Sequence, residues 1–272
     1  MNIQTDTSTV TGRDSSDGTV GKALGVLDRV AAFGRPVRFT ELLEASPLPK
    51  ATLYRLLQTL TKQGMLGFDP ERGTYVPGLR LVRMAHAAWA QSSLAPIARS
   101  HLDRLSRAVG ETVHLAQLDG GHVLYVDKRN AVRPVPMYSE AGKIGPAYCT
   151  GVGKAMLAFL PEAERDAALN QQSWHRFTPN TLTDADALRA ELDVIRSEGN
   201  AFDREEHEPG IHCIAMPVLS QGGRVLGAVS VTSSTDRGAL EDLTRHLPHL
   251  RQAVDRIAGE VRDWRFPDQT EG

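Results

Sequence analysis

The chain has 272 residues, of which 41% are hydrophobic and 24% are charged, and its formal net charge is −2. This composition is that of a globular protein rather than a disordered or fibrous one, and the length is sufficient for two domains. No apolar run reaches the roughly 18 residues that a membrane span needs, and the N-terminus lacks a signal-peptide core. We therefore expect a cytoplasmic protein that makes no contact with a membrane.

Charge is distributed unevenly along the chain. Residues 20–90 hold ten Lys/Arg against five Asp/Glu, whereas residues 91–272 hold twenty against twenty-five. A basic N-terminal segment joined to an acidic remainder indicates that only the former meets a polyanion. The two cysteines, Cys149 and Cys213, form no C-x-x-C pair, so neither a zinc finger nor a disulfide scaffold is indicated.

The N-terminal region predicts a tail followed by two helices. Residues 1–17 are rich in Ser, Thr and Asp, which predicts a disordered tail. Apolar residues recur at helical spacing over residues 20–30, and Gly34 and Pro36 mark the end of this first helix. Thr40 is predicted to cap a short second helix of sequence TELLEAS.

The stretch PKATLYRLLQTL, residues 49–60, predicts a third helix with two unlike faces. Its four leucines recur at i, i+3, i+4 and i+7 and form one apolar stripe, and Gly64 marks the end of the helix. The rest of the cylinder carries hydrogen-bond donors and no carboxylate, which is the chemistry of a surface that contacts phosphates and base edges. On this helix alone, an ordinary solvated face is the simpler interpretation.

A short hairpin follows the third helix. The segments MLGFD and GTYVPG flank PERG and predict two strands with Arg72 at their tip. Three helices and a hairpin form a winged helix-turn-helix, which we place at residues 18–78. Because such a motif lays its third helix in a major groove with the basic hairpin beside it, DNA binding is now favoured over a solvated face. The predicted DNA-binding residues are Arg38, Thr40, Lys50, Ala51, Thr52, Tyr54, Arg55, Gln58, Lys62 and Arg72.

Residues 79–96 predict a linker helix with a kink or break at Pro96. The segment is apolar for a connector, with Met84, Ala87 and Trp89 among its residues. An exposed helix of this kind usually finds a partner, so we expect it to contribute to a dimer. Burial against its own chain is the alternative, because periodicity does not distinguish the two.

The remaining residues, 97–272, predict an α+β domain with an antiparallel sheet. Gly120 and Gly121 join the first two strands of this domain, and QGG joins the last two. Thr183 is predicted to cap the helix ADALRAELDVIRSEG, and a final helix is predicted over residues 239–264. The predicted strands are TVHLAQLD, HVLYVDKR, RPVPMY, HCIAMPVLS and RVLGAVSVTSS, and GVGKAMLAFL is predicted to be a helix rich in small residues.

Six segments, in this order and spacing, resemble the IclR family of bacterial transcriptional regulators. They are KALGVLDRVAAFG, FTELLEASPLPKATLYRLLQTLTKQGML, GETVHLAQLDG, YCTGVGKAMLAFLP, FTPNTLTDADAL and DREEHEPGIHCIAMPV. The resemblance implies a winged helix-turn-helix, a linker helix and a GAF-like effector-binding domain that senses a small metabolite. It also implies dimers or tetramers that bind palindromic operators and repress or activate catabolic operons.

The start of the third helix departs from the family pattern. The family commonly has Lys-Ser-Thr, whereas this chain has Lys50, Ala51 and Thr52. Because Ala51 lacks a hydroxyl, we expect Thr52 and the amides at the helix N-terminus to contact phosphate in its place.

The resemblance also implies an effector pocket at the end of the GAF-like sheet. The matching residues are Gly151, Val152, Asp203, Ile211, Cys213, Ser230 and Thr232. We expect a small carboxylate ligand, such as a keto acid, sugar acid or aromatic acid, with its carboxylate at the Gly151 amide and its hydroxyls toward Asp203. The simpler alternatives are satisfied strand hydroxyls, an inert buried Cys213 and a turn role for Asp203.

Two other classes of function are weighed against a regulator. The residues Cys149, Cys213, His207 and His212 could form a thiol nucleophile with a base, or a zinc site with His114 or His122, in a metal- or thiol-dependent enzyme acting on a small metabolite. No spacing of a known metalloprotease, hydrolase or phosphate-loop motif supports this, and no cofactor is predicted. A purely architectural DNA-binding protein does not explain a C-terminal region about twice the size of the DNA-binding domain.

Overall fold

The computed structural model describes residues 18–92 and 94–261, so the predicted tail at 1–17 lies outside the described residues. The chain divides into two compact units between Gln91 and Ser92, within the predicted linker segment. None of the described helices has the length and the apolar run that a membrane span needs.

The N-terminal unit is a winged helix-turn-helix, as predicted. The four leucines of the third helix are buried, and they pack with residues of the first two helices and of the hairpin in one core. The three strands form an antiparallel sheet in the order β1-β3-β2. The elements are α1 (Thr19–Ala32), β1 (Val37–Arg38), α2 (Phe39–Glu44), α3 (Lys50–Lys62), β2 (Leu66–Asp69) and β3 (Thr74–Pro77).

The predicted cap at Thr40 is wrong. Helix α2 begins at Phe39, so Thr40 is its second residue and Arg38 occupies the cap position. The reason is the short strand β1, which pairs Arg38 with Thr74 and keeps the backbone extended up to that residue. The Arg38 amide donates a hydrogen bond to the Glu41 carboxylate at 2.9 Å, which ties the start of the helix to its first turn.

The segment after the hairpin forms two helices, α4 (Leu79–Ser92) and α5 (Ala95–Val109). The break lies before Pro96, which occupies the first turn of α5, where the missing amide hydrogen leaves no helical bond unmade. The side chains of Leu79, Val82 and Met84 on α4 are exposed. The side chain of Trp89 lies outside the part of the chain that is described.

The C-terminal unit is built on a six-stranded antiparallel sheet with the order β6-β5-β4-β9-β8-β7. Helices α6 and α8 share a core with Ala116, Ala215 and Ala228 of the sheet, whereas α5 and α10 contact each other and the strands β4, β8 and β9. The elements are β4 (Thr112–Asp119), β5 (His122–Arg129), β6 (Ile144–Pro146), α6 (Gly151–Leu157), α7 (Glu162–Leu169), α8 (Ala185–Glu198), β7 (Ala201–Arg204), β8 (Ile211–Leu219), β9 (Val225–Ser234), α9 (Leu240–Leu243) and α10 (Leu247–Glu260).

Three predicted elements of this unit differ in the structure. The segment RPVPMY is not a strand, because its two prolines lack the amide hydrogens that a sheet requires, and β6 pairs with β5 instead. Asp184, not Thr183, caps α8 by accepting the Ala187 amide hydrogen at 2.8 Å. The predicted helix over 239–264 is two helices, α9 and α10, with Pro248 in the first turn of α10, and residues 262–264 are outside the described chain.

Candidate functional site

Helix α3 presents one polar face away from the core. Its residues Lys50, Tyr54, Arg55, Gln58 and Lys62 are exposed, and no carboxylate lies between them. Gly64 ends the helix in a left-handed conformation with φ of 71°, and the Met65 amide returns to the Leu60 carbonyl at 2.9 Å. The helix therefore combines a fixed apolar stripe with a free surface of hydrogen-bond donors.

Two side chains of this face are connected. The Gln58 amide donates a hydrogen bond to the Tyr54 hydroxyl at 2.8 Å. The Tyr54 ring lies edge-on to Phe39 of α2, with 6.1 Å between the ring centroids, although Tyr54 is 52% exposed. Phe39 thus supports Tyr54, and Tyr54 orients Gln58. Phe39 is not among the residues predicted to bind DNA.

The other predicted DNA-binding residues surround this helix. Arg38 and Thr40 are exposed at the start of α2, Ala51 is exposed in the first turn of α3, and Thr52 beside it is half-buried. Arg72 lies in the hairpin turn with its side chain 78% exposed and 3.9 Å from the Asp69 carboxylate. An ion pair as exposed to solvent as this one contributes little to the free energy of folding. The guanidinium of Arg72 is therefore available to a phosphate.

The seven residues of the expected effector pocket line one cavity of the C-terminal unit. Strands β7, β8 and β9 supply five of them, and the first turn of α6 supplies Gly151 and Val152. The cavity volume is about 30 Å³, little more than the space of one water molecule. Six further residues line it, which the sequence analysis did not assign to the pocket: His114, Tyr125, Ser139, Thr150, His207 and Glu208.

His114 is the centre of a hydrogen-bond network in this cavity. Its Nδ1 atom is 3.3 Å from the hydroxyls of both Ser230 and Thr232, and its Nε2 atom is 2.8 Å from the Ser139 hydroxyl. Burial lowers the pKa of His114 to about 3, so the imidazole is neutral. A neutral imidazole donates from one nitrogen and accepts at the other, which makes this network able to rearrange around a ligand.

The segment between β5 and β6, residues 130–143, covers the cavity. Besides the Ser139 contact with His114, the Tyr138 amide donates to the Glu208 carboxylate at 3.0 Å. Lys128 donates to the Ser139 carbonyl at 2.7 Å. We call residues 130–143 the covering segment. Its hydrogen bonds therefore reach His114 and Glu208 of the cavity wall.

Asp203 lies on β7 with 7% of its surface exposed. Its carboxylate accepts the Glu206 amide hydrogen at 2.8 Å, so it stabilises the following turn as well as facing the cavity. Burial, with a contribution from the negative charge of Glu206, raises the pKa of Asp203 to about 7. The carboxyl group therefore titrates near neutral pH, unlike an exposed aspartate.

Gly151 lies against Cys213 at the start of α6. A Cβ atom there would collide with the Cys213 sulfur. The glycine therefore lets the start of α6 pack closely against β8. A second glycine of the same motif, Gly153, lies against the Ala147 backbone in the same way. Both glycines let α6 pack closely in the unit.

Comparison with known protein families gives a match for each of the two units. The model of the IclR helix-turn-helix domain matches residues 19–70, and the model described as "Bacterial transcriptional regulator IclR C-terminal" matches residues 86–259. The chain belongs to the IclR family of bacterial transcriptional regulators. It is accordingly a ligand-responsive DNA-binding regulator and not an enzyme.

Individual relatives cover nearly the whole chain. The HTH-type transcriptional regulator XynR of Escherichia coli K12 is 34% identical over 235 residues, which are 86% of this chain and 93% of XynR. The IclR structure of Thermotoga maritima is 30% identical, has a TM-score of 0.73 and covers 90% of this chain and 98% of its own. An IclR homologue of Microbacterium hydrocarbonoxydans complexed with 4-hydroxybenzoate is 23% identical, with a TM-score of 0.78 and coverage of 90% and 99%, and supports the fold alone.

The cysteines and histidines weighed as a thiol or zinc site are buried or half-buried in the C-terminal unit. Burial raises the pKa of both cysteines, so they remain protonated thiols rather than nucleophilic thiolates. His212 directly precedes Cys213 on β8 and so projects from the opposite face of the sheet. Among the residues described, no group of three or more His, Cys, Asp or Glu is arranged to hold a metal ion.

Lys154 of α6 is a fully buried cation that sequence reasoning missed. Its ammonium lies 2.5 Å from a carboxylate oxygen of Glu191 and 2.5 Å from one of Glu206. Burial acts to lower the pKa of Lys154, but the two carboxylates outweigh it and the pKa is raised. The lysine therefore stays charged and fixes the turn that carries Glu206 beside Asp203.

Proposed function

We propose that this IclR-family regulator controls a catabolic operon by binding a palindromic operator as a homodimer or homotetramer. In this proposal α3 reads the major groove and the cavity of the C-terminal unit binds a small organic acid. The observation that carries the proposal is the meeting of all seven expected effector residues in one cavity. A regulator of this kind acts in the cytoplasm, where the chromosome is accessible to it.

The DNA-binding half of the proposal is supported by the polar face of α3. Arg55 and Gln58 are exposed on it and have the donor groups that reach base edges in the major groove. Lys50 and Lys62 lie at opposite ends of the helix, about 18 Å apart along its axis, where they can contact phosphates. Arg72 is proposed to contact a phosphate or the minor groove from the hairpin tip.

The effector half of the proposal is supported by the chemistry of the cavity walls. Hydroxyls of Ser230 and Thr232, the imidazole of His114 and the carboxyl of Asp203 surround a small space and can bond a polar ligand. Because the cavity now holds little more than a water molecule, ligand entry requires the covering segment to move. The hydrogen bond between Ser139 and His114 is the contact that a ligand would replace.

Oligomer formation is proposed from the exposed apolar residues of α4. Leu79, Val82 and Met84 are 86%, 65% and 51% exposed. Apolar side chains of this size on one helix are typical of a surface that a second chain covers. Two copies of α3 held by such an interface would match the symmetry of a palindromic operator.

The test combines an effector screen with operator binding. A panel of small keto, sugar and aromatic acids is screened by thermal shift, because a ligand that binds only the folded state raises the melting temperature. The acid with the largest shift is then added to the protein on a labelled operator fragment. We expect the acid to change operator affinity several-fold. No stabilisation by any acid, at any pH tested, would remove the proposed effector class.

A further inference from the structure

The walls of the effector cavity contain carboxyl groups but no fixed cation. Of the thirteen described residues that line it, Asp203 and Glu208 are acids and none is a lysine or an arginine. This is unexpected for a site that is proposed to bind a carboxylate, since anionic ligands are usually met by Arg or Lys. The charge of a ligand must be balanced in some other way.

Two lysines whose charges act on cavity residues are already engaged. Lys154 is held by Glu191 and Glu206 at 2.5 Å each. Lys128 donates to the Ser139 carbonyl and to the Glu140 carboxylate, both at 2.7 Å. Their charges are compensated by these partners, so neither ammonium is free to neutralise a ligand carboxylate.

The histidines of the cavity do not supply a positive charge either. Burial lowers the pKa of His207 to about 4, as it lowers that of His114 to about 3. Both rings are therefore neutral at the pH of a cell. A carboxylate ligand in this space would lie next to the Asp203 carboxylate with hydroxyl and amide dipoles as its only support, and two like charges a few ångströms apart in a buried site are strongly unfavourable.

We propose that the effector carboxylate is bound together with one proton, which it shares with the side chain of Asp203. The proton comes from solvent, and the resulting carboxyl–carboxylate pair carries one negative charge instead of two. No covalent bond forms or breaks. This inference rests on the proposed function, because it concerns the same ligand in the same cavity.

Asp203 is placed to hold this proton. It is buried at the cavity wall, and its raised pKa of about 7 means that protonation at neutral pH costs little. Its carboxylate also keeps the Glu206 amide as a donor at 2.8 Å, which leaves the other oxygen for the ligand. The titratable and charged groups around it are Lys154 on α6, Cys149 before α6, Tyr125 on β5, Cys213 on β8, and Glu206 and Glu208 in the turn after β7.

The neighbouring thiols, Tyr125 and Lys154 do not reproduce this titration. Burial raises the pKa of the thiols and of Tyr125 further above neutrality, so they keep their protons. Lys154 keeps its charge because its pKa is raised by the two carboxylates, against the effect of burial. Burial also raises the pKa of Glu206, so proton uptake on ligand binding between pH 6 and pH 9 reports on Asp203 and Glu206, and the Asp203→Asn variant separates the two.

The sign of the pH dependence follows from linkage. With a pKa of about 7, Asp203 is mostly protonated at pH 6 and mostly ionised at pH 8. A ligand acid with an ordinary pKa of about 4 is ionised throughout this range. Binding should therefore take up about 0.1 proton at pH 6 and about 0.9 at pH 8, and the affinity should fall about tenfold between them.

The experiment is isothermal titration calorimetry of the full chain with the acid that the thermal-shift panel identifies. The panel includes pyruvate, gluconate and 4-hydroxybenzoate, with 4-hydroxybenzamide as a neutral counterpart of the last. Each titration is run at pH 6 in phosphate and in bis-Tris, and at pH 8 in phosphate and in Tris, because the different ionisation enthalpies of each buffer pair give the number of protons taken up. We expect nearly one proton at pH 8, and tenfold weaker binding there than at pH 6.

Two variants assign the proton to a residue. Asp203→Asn keeps the shape and an acceptor for the Glu206 amide but has no carboxyl group, so we expect it to abolish both the proton uptake and the pH dependence. Glu208→Gln removes the other acid of the wall, and whatever its effect on affinity, the proton uptake should persist. The reverse result, with uptake lost only in Glu208→Gln, would overturn the assignment to Asp203.

The outcomes separate this inference from the proposed function. Binding of an acid with no proton uptake at pH 8 overturns the inference and leaves the effector class standing. Equal binding of the acid and its neutral amide at both pH values also overturns the inference, because binding would then not depend on the ligand's charge. If no acid binds at pH 6 or pH 8, the proposed effector class is wrong and the inference fails with it. The wild-type proton count requires no variant, so a poorly folding mutant does not prevent the test.

Discussion

The amide of Gln58 donates a hydrogen bond to the hydroxyl of Tyr54, one helical turn before it on α3, at 2.8 Å. The Tyr54 ring is held in turn by its edge-on contact with Phe39. A long, exposed glutamine normally samples many rotamers, and fixing it costs entropy when it binds DNA. The pair therefore orders Gln58 before it meets the operator.

Tyr54→Phe tests this relationship, because it removes only the hydroxyl. We expect operator affinity to fall about fivefold, equivalent to about 1 kcal/mol for a lost hydrogen bond. Fluorescence anisotropy with a labelled operator measures the change. In a Gln58→Ala background the same substitution should have a smaller effect, since no side chain remains to be oriented. Equal effects in both backgrounds would show that Tyr54 acts independently of Gln58.

Arg55 and Lys62 are expected to act differently on the same helix. Arg55→Ala should abolish or strongly weaken operator binding, by roughly 1–3 kcal/mol if it contacts a base. Lys62→Ala should weaken binding to specific and to non-specific DNA similarly. It should also reduce the slope of the logarithm of the binding constant against the logarithm of the salt concentration by about 1. Arg196→Ala, on an exposed position of α8 in the other unit, is the control. A salt slope unchanged in Lys62→Ala would argue against a phosphate contact.

Gly151→Ala should destabilise the C-terminal unit, because its new Cβ collides with the Cys213 sulfur. Overpacking of this kind costs about 1–3 kcal/mol. Calorimetric unfolding measures it, with Gly259→Ala as the control, since no atom lies within 4 Å of a Cβ at that position. Adding Cys213→Ala to Gly151→Ala should recover much of the loss. Failure to recover it would place the cause in the α6 backbone rather than in the sulfur contact.

Lys154→Met should be the most destabilising of these changes. It leaves the buried carboxylate of Glu206, whose side chain is 4% exposed, without its cation. Breaking a buried ion pair in this way costs about 3–5 kcal/mol. Arg189→Met removes a cation paired with Asp166 at the surface, where both side chains are more than a third exposed, and should cost much less than Lys154→Met. Denaturant unfolding measures the free energy of unfolding of both variants. Similar decreases in the two would show that the buried ion pairs of Lys154 contribute no more than a surface pair.

Periodicity explains why much of the fold could be predicted from the sequence. The leucine spacing of α3 and the alternation in β4, β5, β8 and β9 depend on local geometry, and these elements are found where the sequence indicates. The caps at Thr40 and Thr183 were misplaced by one or two residues, since the strand β1 and the carboxylate of Asp184 decide where the helices begin.

The candidate site could be predicted only in part, because its chemistry depends on contacts between distant segments. Lys154 meets carboxylates 37 and 52 residues away in the chain, and His114 meets hydroxyls 116 and 118 residues away. No periodicity marks such pairs. The family pattern indicated seven cavity residues, but the cation-free character of the wall follows from the three-dimensional structure alone.

The central claim is that a ligand in the cavity and an operator on α3 influence each other through the same molecule. The most direct measurement is the operator affinity of the wild-type chain with and without a saturating concentration of the acid that stabilises it, together with the acid affinity with and without operator. The account predicts that both affinities change by the same factor. Identical affinities in the presence and absence of the other ligand would contradict it.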